Sequence, residues 1–383
     1  MPAMTKPDSV HARSLVIDGH ADTPQRFLDE GFDLEGALNG GHVNFDTAKA
    51  GGLDAEFFAI WAEPTQHKGR YAQRSLALID AVLRQAATHP DKMRMAYSPE
   101  DILAARDEDK FAALMGIEGG HAIENDLGLL REYYRLGARY MTLTWSNTNE
   151  WADSSGDLAD KSVQHHNGLT PFGNEVVREM NRLGMMVDIS HASDQTFWDA
   201  LATSSAPVIA SHSCARAVTE HPRNMTDEML RAVAEKDGII MVNFYPAFLD
   251  AKWLANWQAL KPDRERAHAA LGAGYESKGQ TVPYFASGAL DRNHAARISR
   301  APFTALIDHI DHVIRVAGVD HTGLGSDFDG IPATPEGIDS AADIPKITSA
   351  LTARGYSVKD LQKVLGGNLM RVFRSVQAAA GTF

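Results

Sequence analysis

Cysteine is almost missing from this chain: Cys214 is the single one among 383 residues. That excludes an intrachain disulfide and any cysteine-based structural zinc site, so a metal centre would have to be built from His, Asp and Glu. Long hydrophobic runs are missing too, and no stretch is long enough to span a bilayer. Positive charge is in deficit, with 37 Lys and Arg against 50 Asp and Glu and a formal net charge of −13. An acidic chain with no basic stripe is a poor candidate for binding nucleic acid or an anionic membrane. No apolar segment of the signal-peptide kind follows Met1-Pro2-Ala3-Met4, and the final Ala380-Gly381-Thr382-Phe383 is no lipid-anchor signal. The expectation is a cytoplasmic protein whose partner is a small molecule, with no nucleic acid and no membrane involved.

What is present is an ordinary globular mixture, 44% hydrophobic and 23% charged. Its length suits one large α/β barrel with insertions or two ordinary domains. Eight short apolar runs recur: Leu15–Ile17, Ala55–Trp61, Ala112–Ile117, Tyr140–Trp145, Met185–Ile189, Pro207–Ala210, Ile239–Phe244 and Thr322–Leu324. Continuous rather than alternating apolar character predicts strands buried on both faces of a parallel sheet. Helical signals lie between most of them. Arg70–Ala87 is amphipathic. Thr170-Pro171 opens a helix that Gly184 closes, Thr226 opens one that Gly238 closes, and Pro302 opens one that ends at Gly318. Strand–helix alternation repeated eight times predicts a (β/α)8 TIM-type barrel spanning residues 1–383 as a single domain, with an open doubly wound sheet as the alternative. Between the seventh and eighth runs, residues 245–300 hold no strand signal and read as a lid-like insertion. The tail Asp343–Ala380 reads as extra helices packed outside the barrel.

The polar residues gather where a barrel places its active site, at the C-terminal strand ends. The first run ends in Asp18-Gly19-His20-Ala21-Asp22, the third in Glu118-Gly119-Gly120, the fifth in Asp188-Ile189-Ser190-His191. The sixth ends in Ser211-His212-Ser213 and the eighth in Ser326-Asp327-Phe328-Asp329. Side chains two apart on a strand share a face, so His20 and Asp22 can hold one ion. His191 and His212 can hold a second, with Glu118 between them. Imidazole and carboxylate suit Zn²⁺, and Mn²⁺ or Co²⁺ would also accept them. Two such ions about 3.5–4 Å apart would activate a shared water near neutral pH. Singly, each residue has an ordinary explanation. A strand-end His is commonly just hydrogen-bonded, Asp22 could cap a helix and Glu118 could pair with an Arg. Asp18, Asp188 and Asp329 read as structural, and Cys214 as core packing.

At these positions the sequence resembles the membrane (renal) dipeptidases and their bacterial relatives among the amidohydrolase-like metal barrels. The resemblance runs through Asp-Gly-His-Ala-Asp-Thr-Pro at 18–24, Gly-Ile-Glu-Gly-Gly-His at 116–121 and Gly-Leu-Thr-Pro-Phe-Gly at 168–173. It continues through Val-Asp-Ile-Ser-His at 187–191, Ser-His-Ser-Cys-Ala-Arg at 211–216, Arg-Asn at 223–224, Val-Asn-Phe-Tyr at 242–245 and Gly-Ser-Asp-Phe-Asp-Gly at 325–330. It implies a dinuclear zinc dipeptidase. His20 and Asp22 would bind one zinc, His191 and His212 the other, with Glu118 bridging. Asp327 would be the general base and acid, Arg223 would hold the substrate's C-terminal carboxylate, and Tyr245 would line the pocket. A related deacylase of N-acyl amino acids and a catalytically silent metal barrel are the alternatives, and a homodimer is compatible with the outer helices of such barrels. The chain departs from the family at two places. Ala21 stands where Asn is usual, and it should point away from the metals. Trp145 stands where the family commonly has a substrate-contacting His. Indole can donate one hydrogen bond but cannot accept one or become cationic. The expectation is an altered substrate range, with His165 or His166 as candidate replacements for the imidazole.

Overall fold

A computed structural model describes residues 10–381. The readings on the two termini fall largely on residues 1–9 and 382–383, outside the described residues. The described residues hold nine parallel strands: β1 (Ile17–Ala21), β2 (Ala55–Trp61), β3 (Met93–Met95), β4 (Phe111–Glu118), β5 (Ala138–Thr142), β6 (Met186–Asp188), β7 (Val208–Ser213), β8 (Ile239–Val242) and β9 (Thr322–Leu324). Eight of them close on themselves in the order β1-β2-β4-β5-β6-β7-β8-β9, with β9 returning to β1 and β2 pairing directly with β4 from Ala55↔Ala112 to Trp61↔Glu118. The closed ring rules out the open doubly wound sheet. Each expected apolar run supplies one barrel strand. The unexpected β3 pairs only with the start of β4.

The barrel strands are buried along almost their whole length, as two-sided packing requires. Outward residues such as Phe58, Ile60, Val187 and Val242 join the main core beneath the helices. A second cluster unites Ile17, Phe57, Leu114, Tyr140, Met186, Ile209 and Met241 with Leu369, Met370, Val372, Phe373 and Val376. The last five lie on or beside the C-terminal helix Asn368–Ala378, and Phe373 meets Phe57 edge-on at 6.3 Å. The tail therefore does more than lie outside the barrel, because its last helix packs against side chains of the barrel strands themselves.

Helix boundaries follow the local chemistry. The Thr170 hydroxyl caps the helix Pro171–Leu183, which ends at Gly184 in the left-handed conformation. Thr226 caps Asp227–Glu235, but that helix stops short of Gly238, with the positive φ falling on Asp237. Pro302 precedes Phe303–Ala317, whose Leu306, Ile310 and Val313 are buried. The segment 245–300 folds into four helices: Pro246–Leu249, Ala251–Ala259, Lys261–Glu276 and Tyr284–Ala295. They build a small core of their own around Trp253, Trp257, Ala295 and Ile298. No helix among the described residues is long and apolar enough to cross a membrane.

Candidate metal centre

Each candidate ligand sits at or just beyond the end of its strand. His20 is the fourth residue of β1, and Asp22 follows the strand as N-cap of the helix Thr23–Asp29. Glu118 closes β4, His212 lies near the end of β7, and His191 follows β6 by three residues. The side chains converge. His20 Nε2 lies 3.6 Å from Asp22 Oδ2 and 3.5 Å from Glu118 Oε2. On the other carboxylate oxygen, Glu118 Oε1 lies 3.2 Å from His191 Nε2 and 3.6 Å from His212 Nε2. The two latter nitrogens are 3.0 Å apart. Glu118 thus stands between a His20–Asp22 pair and a His191–His212 pair. Asp327 joins His20 and Asp22 in a second compact donor group. Ala21 points away, buried in the outer core.

The far side of each ring fixes its tautomer. The Tyr140 hydroxyl donates to Gly19 O (3.2 Å), so it accepts from His20 Nδ1–H at 2.8 Å. Ser211 Oγ donates to Asp188 (2.6 Å), so it accepts from His212 Nδ1–H at 2.7 Å. His191 Nδ1 faces Ser146 Oγ at 3.3 Å. With Nδ1–H donating outward, Nε2 of His20 and of His212 faces the centre; burial opposes a charge on His20, but Tyr140 and Glu118 outweigh it and raise the imidazole, so a cation held there would displace the Nε2 proton. Tyr140 can cross the barrel because residue 116 is Gly: a Cβ there would lie 2.0 Å from the tyrosine ring. The sequence assigned no role to Tyr140, Ser146 or Ser211, although Tyr140 and Ser211 lie inside quoted segments and Ser146 follows one directly. Asp188 and Asp18 are structural, as expected. Asp18 accepts from Ser326 N (2.7 Å) and from the Ser326 hydroxyl.

Electrostatics and backbone point the same way. His20 Nε2 is buried without a hydrogen-bond partner. Burial, reinforced by Glu118, pushes the Asp22 carboxyl up to about 8. Burial, reinforced by Arg223, drives His191 down to about 4, and burial with His20 nearby lowers His212 as well. Burial opposes ionisation of Glu118, but His20 and His191 outweigh it and hold that carboxylate low. Carboxylates crowded against imidazole nitrogens in a dry site are accommodated by cations placed between them, and N and O donors of this kind fit a pair of divalent ions. Three non-glycine residues here adopt left-handed φ: His191 (+63°), Asp327 (+64°) and Asp329 (+65°). Such backbone costs on the order of 1 kcal/mol or more and persists where surrounding bonds enforce it. Asp329 supplies that enforcement. Its carboxylate accepts from Thr23 Oγ1 (2.7 Å) and His42 N (2.7 Å), and its N–H donates to His42 Nδ1 (2.9 Å).

The centre opens into a cavity of about 920 Å³ lined by Asp22, Glu118, His191 and Asp327, with Trp145, Tyr245 and the insertion around them. Asn243 donates to Asp327 Oδ2 at 2.8 Å, a contact not foreseen from the sequence. Arg223 lies behind His212 rather than on the cavity wall. Its guanidinium donates to Ser213 Oγ and to His212 O, both at 2.7 Å, and only its Nε is left buried and unpartnered. The candidate imidazoles fail geometrically. His166 is turned to Asn149 O (2.9 Å), His165 faces Asp160 O (3.3 Å), and neither reaches the cavity. The position after β5 is left to Trp145 alone.

A closed (β/α)8 barrel with this donor set at its C-terminal mouth defines a class, the amidohydrolase-like metal barrels. Within that class the family pattern of membrane dipeptidase (peptidase family M19) matches residues 4–382, and the chain belongs to that family. Dipeptidase tcpJ of Claviceps purpurea is 33% identical over 350 residues, covering 89% of this chain and 71% of that protein. Dipeptidase 3 of Mus musculus is 32% identical over 368 residues, covering 94% of this chain but 64% of its own length. This chain therefore spans about two thirds of the curated relatives it matches. The crystal structure of the probable dipeptidase PvdM from Pseudomonas aeruginosa matches with a TM-score of 0.81 at 25% identity, covering 98% of each chain.

Proposed function

We propose that this protein is a metal-dependent dipeptidase that works with two divalent ions, zinc by the chemistry of the donors. The observation that carries the reading is Glu118, whose two carboxylate oxygens face different donor pairs, His20 with Asp22 on one side and His191 with His212 on the other. One ion would be held by His20 and Asp22, the other by His191 and His212, with Glu118 shared. When bound, such a pair supplies Lewis acidity for the amide carbonyl and an activated water. The remaining work falls to the protein. Asp327 has one oxygen engaged by Asn243, which leaves the other to accept a proton and return it to the leaving amine. Burial, reinforced by Glu118, raises the Asp327 carboxyl and brings it nearer the operating range of a general base. Arg223 does not line the cavity and its fork is committed to Ser213 and His212 O, so its part is a buried positive charge behind His212 that draws a substrate's C-terminal carboxylate to that side. Tyr245 and Trp145 both line the cavity. The insertion contributes Tyr284 and its neighbours to the cavity lining, which supports reading it as a lid.

Metal content measured together with hydrolysis of a dipeptide panel, before and after chelation, tests this. The expected result is about two zinc per chain, cleavage lost on chelation and restored by zinc. Metal without dipeptide cleavage, but with cleavage of N-acyl amino acids, would replace this reading with the deacylase one. No bound metal would end both.

A further inference from the structure

Trp145 occupies the position after β5 where an imidazole would carry charge to the substrate. It has instead become part of an aromatic wall. Its ring lies 4.8 Å from Trp61, tilted by 50°, and 6.3 Å from the His191 ring. Trp61 closes β2 in register with Glu118 and meets Tyr284 of the insertion edge-on at 6.0 Å. All three rings line the cavity beside the metal ligands. A neutral indole gives up the charge stabilisation an imidazolium offers and adds apolar, polarisable area in its place.

The topology says which part of a substrate meets this wall. Around the eight-stranded ring, β7 is four strands from β2 in either direction, so Trp61 lies diametrically across from the segment after β7 that carries Arg223. A dipeptide with its carboxylate on the Arg223 side and its scissile carbonyl at the centre extends its N-terminal residue toward the side of Trp61, on which Trp145 packs. On the Arg223 side the aromatics are already committed. Phe248 packs on Tyr245 at 4.9 Å and lies under the Arg223 guanidinium at 5.6 Å.

We propose that Trp145, with Trp61 and Tyr284, is the specificity-determining surface for the substrate's N-terminal residue and selects planar aromatic side chains there. The proposal rests on the dipeptidase reading above. A substrate ring entering this wall meets rings already set in tilted and edge-on arrangements, the geometries aromatic pairs favour. The cavity, at about 920 Å³, has room for it.

The test is kcat/KM of the metal-loaded protein on Phe-Ala, Ala-Phe and Ala-Ala, with the same three dipeptides titrated against intrinsic tryptophan fluorescence. Phe-Ala should exceed Ala-Ala about tenfold, the scale of burying one aromatic ring, and should also exceed Ala-Phe. Trp145→Phe should keep the ratio and Trp145→Ala should collapse it toward one. A residue that only supports the fold would lower all three rates together. Equal rates on Phe-Ala and Ala-Ala, a preference for Ala-Phe, or an unchanged ratio in Trp145→Ala would overturn the proposal. If Trp145→Ala does not fold, the wild-type ratios and Trp145→Phe still decide it. If no dipeptide is cleaved, the function reading falls, and the fluorescence titration decides the inference. Tighter binding of Phe-Ala than of Ala-Phe sustains it, and equal binding sinks it.

Discussion

At the barrel mouth the proposed metal ligands His20, Asp22, Glu118, His191 and His212 are all buried on or just beyond strand ends, whereas the insertion helix Lys261–Glu276 buries none of its residues. The ligands are held from behind by hydrogen bonds to Tyr140, Ser146 and Ser211. The insertion meets the barrel through scattered fastenings: Tyr284 Oη to Asp329 O (3.0 Å), Asn224 Nδ2 to Phe248 O (2.9 Å) and His309 to Leu249 O (3.2 Å). Positions that must be accurate to fractions of an ångström are placed on rigid elements, and cavity shape is left to an element that can vary. Breaking the rigid half should therefore abolish function, and breaking a fastening of the other half should adjust it.

The largest effect is expected at Glu118. Glu118→Gln removes the one charge shared by both ion positions. It should cut bound metal below two per chain and lower kcat/KM by about 10³-fold or more, since the ions supply several kcal/mol of stabilisation. Metal analysis beside kinetics checks both halves of that statement. Two ions retained at full stoichiometry would show that Glu118 does not bridge. Next comes Asp327→Asn, which keeps size and the contact with Asn243 but loses the basic oxygen. Metal content should hold while kcat drops by about 10²–10⁴-fold. Loss of metal in this variant would instead make Asp327 a ligand, as its closeness to His20 and Asp22 allows.

A smaller effect should follow from the hydrogen bonds behind the ligands. Tyr140→Phe removes the acceptor of the His20 Nδ1 proton while leaving the ring that fills the space above Gly116. Metal affinity should fall about 10–100-fold, measured by competition with a chelator, and the fold should survive. Tyr140 also marks the limit of what the sequence disclosed. The barrel strands were legible because each is a short, unbroken apolar run, and the ligands because each follows such a run. β3 was not, since Met93-Arg94-Met95 is too short to carry a period. The insertion helices were not, because Lys261–Glu276 has no buried stripe to make a pattern. Tyr140 and Asn243 act through partners remote in sequence, 120 residues away for Tyr140 and His20, and Ser211 orients its neighbour His212 only because Asp188, 23 residues away, takes its hydroxyl proton; no local pattern encodes that. The orientation of Arg223 toward Ser213 and His212 O, and of His166 toward Asn149, depends on loop packing for the same reason.

The smallest effect concerns how the insertion is fastened. His309, buried on the helix Phe303–Ala317, accepts from Ala215 N at Nδ1 (3.1 Å) and donates from Nε2 to Leu249 O (3.2 Å). Only the neutral ring can do both, and burial drives its pKa down to about 4. In the unfolded chain the ring titrates near its ordinary value of about 6.5. Below that pH the unfolded state takes up the proton first, so the contribution is present above about 6.5 and is lost as pH falls toward 4. Between pH 7 and 5.5 the loss is about 1 kcal/mol. His309→Gln offers a neutral acceptor and donor with nothing to titrate. Its unfolding free energy should therefore fall by about 1 kcal/mol less than that of the wild type over the same interval. Metal release on acidification affects both proteins alike and cancels in the difference. Identical pH dependence in the two proteins would show that His309 does not hold the insertion by its neutral form. The two halves of the barrel mouth would then differ less in their fastening than their burial implies.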